Sequence, residues 1–151
     1  LPLLTALGDL DVDVVSTAGK YLTPRDRRGL PSSVLVFDFL PAHKLGGLID
    51  ASFIHGGEGT VQTACASGVP FAGIGMQMEQ KLNIEECVDF GNALAFTMRD
   101  IRRRRIPSLV ERLLTDTTLR RRARELAALT RGIDGARRSA EVILRFLDDR
   151  H

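Results

Sequence analysis

A glycine-rich segment in the middle of the chain, HGGEGT at residues 55–60, constrains the fold more than any other feature. It follows the apolar run ASFI and precedes VQTACAS, a run of mostly small residues. Ordering a glycine costs more conformational entropy than ordering any other residue, so three glycines in five positions indicate a backbone that something must approach closely. The pattern predicts a strand over residues 51–55, a tight turn, and a helix over residues 60–67.

Short apolar runs alternate with helical segments over the first two thirds of the chain. We predict strands over residues 11–17, 34–40, 51–55, 70–75 and 93–97, helices over 60–67 and 79–90, and a brief helix or turn over 42–49. Strands that alternate with helices indicate a parallel sheet with helices on both faces. The predicted fold class is therefore α/β and Rossmann-like.

The C-terminal third is predicted to be helical. Helices are expected over residues 106–114, 118–129 and 136–147, and the last of them has an inward-facing stripe of Val142, Ile143, Phe146 and Leu147. With 151 residues, 44% of them hydrophobic, the chain is long enough for one domain with one core. We interpret residues 1–151 as a single domain in which residues 99–151 form an Arg-rich helical part.

Basic residues are concentrated in that C-terminal part. Residues 99–151 contain 15 arginines and 8 acidic residues, whereas residues 1–98 contain 6 basic and 11 acidic residues. The arginine runs at 102–105 and 120–122 are compatible with nucleic-acid binding. Acidic residues interleave with the arginines and no aromatic cluster accompanies them, which favours a solvated helix face and no nucleic-acid partner. A docking surface for another domain is a third interpretation.

The two cysteines, Cys65 and Cys87, are too far apart in sequence for a CxxC pair and have no histidine at metal-ligand spacing. We expect both to be small buried apolar residues in a reducing compartment, with no disulfide and no metal site. No apolar run approaches the roughly 20 residues of a membrane-spanning helix, and the first residues do not read as a signal peptide. We therefore expect a cytoplasmic chain, which is a piece of a longer protein because it starts without Met.

The glycine-rich segment is also a candidate ligand site. Ligands of open α/β sheets bind outside the carboxyl ends of the strands, and residues 54–60 lie at such an end. Backbone amides at the start of the following helix, together with the helix dipole, favour a phosphate group. His55 adds a donor, and Thr60 either caps the helix or reaches the same phosphate oxygen. A plain strand-to-helix turn explains the segment equally well when it is considered alone.

Further motifs stand in a fixed order around that segment. They are Phe39, Pro41 and Leu45 before it, and Gly68-Val69-Pro70, Glu79-Gln80 and Asn83 after it. This ordered set closely resembles the nucleotide-sugar-binding domain of the two-domain, GT-B type glycosyltransferases, which include the macrolide, glycopeptide and plant small-molecule enzymes. The resemblance covers most of residues 10–147.

The resemblance implies three groups of binding residues. The donor diphosphate is expected at His55, Gly56, Gly57, Glu58, Gly59 and Thr60. The base and ribose are expected at Phe39, Leu40, Pro41, Ala42 and Thr63, where many family members have Glu at the position of Thr63. The hydroxyls of the donor sugar are expected at Glu79 and Gln80, for which the first turn of a helix is the alternative explanation. For Phe39, the alternative is an ordinary core residue.

The resemblance also implies parts that the sequence does not contain. The family has a first strand with a Gly/Ser-rich loop before the position of Leu1, and an N-terminal domain that binds the acceptor. Inverting members have their catalytic base on that domain, so we expect no catalytic residue in this chain. We expect the sheet to be completed by a missing segment or by self-association, and an acceptor-binding domain or partner subunit to be required.

The most specific hypothesis is the donor-binding half of a glycosyltransferase that uses a UDP- or dTDP-linked sugar and a hydroxyl acceptor, with no other cofactor. A non-catalytic interaction module of the same fold, with a degenerate donor site, is the main alternative. An Arg-rich nucleic-acid-binding protein is a third hypothesis. A sugar-nucleotide epimerase would need catalytic carboxylates that the sequence does not reveal.

Overall fold

The computed structural model describes residues 1–148. It contains five short strands, β1 Val14–Ser16, β2 Val34–Val36, β3 Ser52–Ile54, β4 Phe71–Gly73 and β5 Ala93–Ala95. Its helices are α1 Pro2–Gly8, α2 Pro24–Arg28, α3 Glu58–Ser67, α4 Met78–Phe90, α5 Met98–Arg102, α6 Ile106–Thr115, α7 Thr117–Thr130 and α8 Gly135–Asp148. Two 3-10 turns, Gly19–Tyr21 and Ala42–Lys44, complete the described elements.

All strand pairs are parallel, which confirms the predicted α/β class. β1 pairs with β2 in one sheet, and β3, β4 and β5 form a second sheet in that order. The five strands lie within the predicted ranges but are shorter. The strand expected over 34–40 ends at Val36, because the chain bends at Asp38, whose carboxylate accepts a hydrogen bond of 2.8 Å from the Arg27 guanidinium.

β4 is the centre of the core. Phe71 points to one face of the sheet, where it packs with Ala64 of α3 and Cys87 of α4. Ala72 points to the other face, where it packs with Ile106 and Leu113 of α6. Adjacent side chains of a strand point to opposite faces, so helices cover both faces of the sheet as predicted.

Three short helices were not predicted. α1 begins with Pro2 at its first turn and buries Leu7. α2 and α5 each begin at a threonine whose side chain and backbone exchange hydrogen bonds with an aspartate three residues later, Thr23 with Asp26 and Thr97 with Asp100. Both helices are five residues long, too short for a hydrophobic period, so the caps rather than the apolar pattern define them.

The predicted inward stripe of α8 is wrong. Val142, Ile143, Phe146 and Leu147 are each more than half exposed, and no described residue of α8 is buried. The preceding helix, α7, packs on α3 and buries Ala123 and Ala127. The chain then turns at Gly132, which has a φ of 77°, and α8 lies outside the core that α7 helps to cover. The apolar period of α8 is present, but no surface of the described chain buries it.

Candidate functional site

Three residues connect the end of β3 to the start of α3, and the first glycine among them is required by the protein itself. Gly56 has a φ of +83°, which L side chains rarely adopt. A Cβ at Gly56 would lie 2.6 Å from the carbonyl oxygen of Gln80 and 2.6 Å from Cδ1 of Ile84, both on α4. The bare backbone at this position therefore allows α4 to approach the loop.

The second glycine accommodates the imidazole of His55. A Cβ at Gly57 would lie 2.7 Å from Nε2 of His55, so the ring lies directly beside the residue from which α3 starts. His55 is exposed to solvent, whereas Gly56 behind it is buried. The predicted grouping of the histidine with the amides at the start of the helix is present in the structure.

The first turn of α3 has no side-chain cap. Its N-cap is Gly57, and the amides of Thr60 and Val61 both donate to the Gly57 carbonyl oxygen at 2.9 Å. Within residues 1–148, the amides of Gly57, Glu58 and Gly59 have no hydrogen-bond acceptor. Unpaired amides at a helix start carry the positive end of the helix dipole and favour an anion.

Thr60 does not cap α3, so that alternative is wrong. The helix begins at Glu58, two residues earlier than predicted, which places Thr60 inside its first turn. The Glu58 carboxylate accepts a hydrogen bond of 3.1 Å from Gln62 Nε2, along the side of the helix. The Thr63 hydroxyl donates to the Gly59 carbonyl oxygen at 2.8 Å.

The segment expected to hold the base lies beside α3. Phe39 is 76% exposed, so its alternative assignment as a core residue is wrong. Pro41 is half-buried and leads into the 3-10 turn Ala42–Lys44, which packs against α3. In the described chain, the amides of Leu40 and Ala42 donate to no acceptor. An exposed ring and free backbone groups are therefore present together in the segment that leads into this turn.

The pair expected to hold the sugar forms part of the first turn of α4. Gln80 Oε1 accepts from the amides of Met76 at 3.0 Å and Gln77 at 3.3 Å, which closes a capping box. Glu79 is exposed, and its Oε1 accepts a hydrogen bond of 3.4 Å from Asn83 Nδ2. The amide oxygen of Gln80 is committed to the helix, and its Nε2 is left as the group that can donate to a ligand.

Asn83 connects α4 to the loop. Its Nδ2 donates to the carbonyl oxygen of Gly56 at 3.0 Å, across 27 residues of sequence. The sequence indicated Asn83 only as a motif position without a role. Nothing in the local pattern reveals this contact, because it depends on how α4 packs against the end of β3.

Five of the fourteen arginines in residues 99–148 form ion pairs with acidic residues. Glu125 accepts hydrogen bonds from Arg121 and Arg122, and these two contacts lower the pKa of its carboxyl group. The Arg122 guanidinium lies 5.3 Å from the centre of the Phe90 ring. Arg105 pairs with Asp100 at 3.4 Å. These exposed pairs add little stability, and they agree with the interpretation of a solvated helix face.

None of the helices in residues 1–148 is long and apolar enough to cross a membrane. The same residues contain no group of three or more His, Cys, Asp or Glu side chains placed to hold a metal ion.

Curated relatives of the chain are glycosyltransferases. A PGL/p-HBAD biosynthesis glycosyltransferase of Mycobacterium tuberculosis is 30% identical over 125 residues, which are 82% of this chain and 28% of that protein. UDP-glycosyltransferase 2 of Phaeomoniella chlamydospora is 33% identical over 129 residues, which are 83% of this chain and 28% of that protein. The chain thus spans less than a third of the length of either relative.

Solved structures have the same fold. The calicheamicin glycosyltransferase CalG4 matches 99% of this chain with a TM-score of 0.84 and 25% identity, over 40% of its own length. The glycosyltransferase VinC, solved in complex with dTDP, matches 95% of this chain with a TM-score of 0.80 and 24% identity, over 36% of its length. The fold is that of the C-terminal domain of GT-B glycosyltransferases.

A family model covers most of the chain. The model describes the C-terminal domain of erythromycin biosynthesis protein CIII-like proteins, and it matches residues 2–133. That range includes the loop, the first turns of α3 and α4, and the Phe39 segment. The chain belongs to the family of erythromycin biosynthesis protein CIII-like C-terminal domains.

Proposed function

We propose that this chain binds the donor, a nucleoside diphosphate sugar, in a glycosyltransferase that transfers the sugar to a hydroxyl group of an acceptor. The observation that carries the proposal is the start of α3, where the His55 ring lies beside Gly57 and the amides of Gly57, Glu58 and Gly59 have no acceptor in the described chain. A diphosphate satisfies those donors and is stabilised by the helix dipole. The same contacts would stabilise the negative charge that develops on the departing diphosphate.

The neighbouring segments supply contacts for the rest of the donor. The exposed ring of Phe39 offers a stacking surface for the base, and the free amides of Leu40 and Ala42 offer hydrogen-bond donors to its edge. The Glu79 carboxylate and the Gln80 Nε2 group would accept from and donate to adjacent hydroxyls of the sugar. We assign Thr63 to the ribose side, since it lies one helical turn after Gly59. No metal or further cofactor takes part in this proposal.

The acceptor and the catalytic base belong to a different part of the protein in this proposal. The relatives are more than three times as long as the matched region, which leaves room for an acceptor-binding domain. The 151-residue chain alone would then bind donor without transferring sugar. Uridine and thymidine diphosphates are the first nucleotides to test, because one relative is named a UDP-glycosyltransferase and one structural neighbour contains dTDP.

Calorimetric titration of the purified chain with UDP, dTDP and GDP tests the proposal. We expect saturable binding of UDP or dTDP, and we expect His55→Ala to weaken it by about 1 to 3 kcal/mol, the cost of losing a hydrogen bond to a charged group. His43→Ala is the matched control, because His43 is also exposed but lies in the 3-10 turn outside the loop. Equal weakening by both variants would contradict a specific role for His55.

A non-catalytic interaction module remains the second candidate, and one observation favours it. The Gln80 amide oxygen is already used to cap α4, so a contact that the resemblance assigns to the sugar is partly occupied by the protein. A folded chain that binds none of the three nucleotides would support this candidate. Circular dichroism of the same sample establishes that the chain is folded.

A further inference from the structure

The two cysteines of the chain lie against each other on neighbouring helices. Cys65 of α3 and Cys87 of α4 are 22 residues apart in sequence, and their sulfur atoms are 3.8 Å apart. Cys87 is buried and Cys65 is half-buried. A disulfide bond is about 2.05 Å long, so the two sulfurs would have to approach by roughly 1.8 Å to form one. The sequence predicted two separate apolar residues, and the packing of α3 on α4 makes them a pair.

The surroundings make the two thiols chemically unequal. Either sulfur can donate in the Cys65–Cys87 contact, but only Cys65 also receives a side-chain donor, Asn92 Nδ2 at 3.7 Å. The contact with Cys87 lowers the pKa of Cys65, and Asn92 lowers it further, although burial opposes ionisation. The contact with Cys65, followed by burial, raises the pKa of Cys87. Cys65 is the more exposed thiol and the one that Asn92 contacts, so it is placed to attack an oxidant first, and buried Cys87 is placed to attack second.

We propose that Cys65 and Cys87 form a reversible intramolecular disulfide that ties α3 to α4 when the chain meets a low-molecular-mass disulfide such as oxidised glutathione. The Cys65 thiolate attacks one sulfur of the oxidant, and the glutathione that leaves takes up the proton that Cys65 released. The Cys87 sulfur then attacks the Cys65 sulfur, and its proton goes to the second departing glutathione. Two electrons pass from the protein to the oxidant, which becomes two glutathione thiols.

The location of the pair gives the bond a structural consequence. α3 begins at the His55 to Gly59 loop, and α4 contributes Gln80 and Asn83, which lie against that loop. The disulfide would therefore join the helix that starts at the loop to the helix that supports it. The thiol chemistry itself needs no nucleotide, so this proposal stands or fails separately from donor binding.

The test uses the purified chain in buffers of stepped ratios of reduced to oxidised glutathione. After acid quenching and unfolding, remaining thiols are labelled with N-ethylmaleimide and counted by intact mass. We expect both labels to be lost together in a monomeric chain, a Cys65–Cys87 cross-link on peptide mapping, and recovery of both labels after reduction. Labels that persist in the most oxidising buffer, a glutathione adduct that stays on Cys65 beside a free Cys87, or cross-linked dimers would each overturn the proposal.

Single variants separate the two roles. Cys87→Ser should leave Cys65 as a stable mixed disulfide with glutathione, because no second thiol resolves it. Cys65→Ser should slow modification by at least about tenfold relative to Cys87→Ser, since the remaining thiol, Cys87, is buried. Equal rates for the two variants would contradict the assigned order of attack. If either variant fails to fold, the paired loss of labels in the original chain still decides whether the disulfide forms.

Discussion

Helices α3 and α4 begin at the same edge of the sheet, yet their first turns are completed in opposite ways. α3 follows β3 and starts at Gly57 without a side-chain cap, whereas α4 follows β4 and starts at Gln77 with a capping box closed by Gln80. The first amides of any helix have no helical carbonyl to bind. Before α4, the Gln80 side chain accepts from the amides of Met76 and Gln77, which fixes the chain that leads into the helix, whereas no side chain closes the start of α3 in this way.

The two helices therefore have separate roles at the loop. Helix α4 supports the loop: Ile84 and the Gln80 carbonyl crowd Gly56, and Asn83 donates to the Gly56 oxygen. Helix α3 presents its first amides next to His55. The glycines of the loop divide in the same way, because protein atoms crowd Gly56 and Gly57, whereas no heavy atom lies within 4 Å of the place where a Cβ of Gly59 would be.

The largest expected effect is that of Gly56→Ala, because this substitution disturbs the packing of α4 against the loop. The substitution combines a left-handed backbone with a clash against the Gln80 carbonyl oxygen, so we expect a loss of about 2 to 5 kcal/mol in the free energy of unfolding. Gly47→Ala is the matched control, because Gly47 has a φ of 82° but no neighbouring atoms within 4 Å. Urea unfolding compares the two. Equal losses would mean that α4 does not press on the loop.

Substitutions of Gln80 should change the free energy of unfolding less, and they separate the role of Gln80 in helix capping from its proposed role in ligand binding. Gln80→Ala removes the acceptor for the amides of Met76 and Gln77 and should cost about 1 kcal/mol in urea unfolding. Gln80→Glu keeps that acceptor and suits a helix N-terminus, so its stability should match that of the original chain. If Gln80→Ala is as stable as Gln80→Glu, the capping box does not hold α4 in place.

The same pair of variants tests the proposed sugar contact. Gln80→Glu lacks the Nε2 donor, so it should weaken binding of UDP-glucose by about 0.5 to 1.5 kcal/mol while binding of UDP is unchanged. Calorimetric titration with both compounds provides the measurement. Unchanged binding of UDP-glucose would leave Gln80 with capping as its role.

The sequence predicted those features of the fold that depend on residues near one another in the chain. α3 and α4 were located to within two residues, because each ends at a glycine in the left-handed conformation, Gly68 and Gly91, after a helical pattern. The strands were located by their apolar runs, although the ladders proved shorter than the runs. The ordered motifs also indicated the family, which the comparisons confirm.

The features that the sequence did not predict depend on contacts between residues that are far apart in the chain. A hydrophobic period shows which face of a helix is apolar but not whether anything covers it, so the stripe of α8 was placed inward when it is exposed. Asn83 and Gly56, 27 residues apart, come together only because the strands are parallel and the helix between them crosses over. The cysteine pair arises in the same way, from the packing of α3 on α4.

Gly59→Ala should have a small, stabilising effect, and it tests the start of α3 most directly. Gly59 lies in the first turn of α3 with helical backbone and open space around it, so an alanine should raise the free energy of unfolding by up to about 1 kcal/mol through the unfolded chain. The added methyl group stands where a diphosphate would approach the amides, so the affinity for UDP should fall. Stability and binding, measured by urea unfolding and calorimetry on one variant, are expected to change in opposite directions.

The directions of the two changes, in stability and in affinity for UDP, distinguish the possible reasons for a glycine at position 59. If stability also falls, protein atoms do crowd the position, and Gly59 belongs with Gly56 rather than with the ligand. If stability rises while binding is unchanged, the open turn of α3 is not where the diphosphate binds. A gain in stability together with a loss of affinity would mean that position 59 lacks a side chain because a ligand needs the space. No heavy atom of the described chain lies within 4 Å of the place where a Cβ of Gly59 would be, so packing within the protein does not require glycine there.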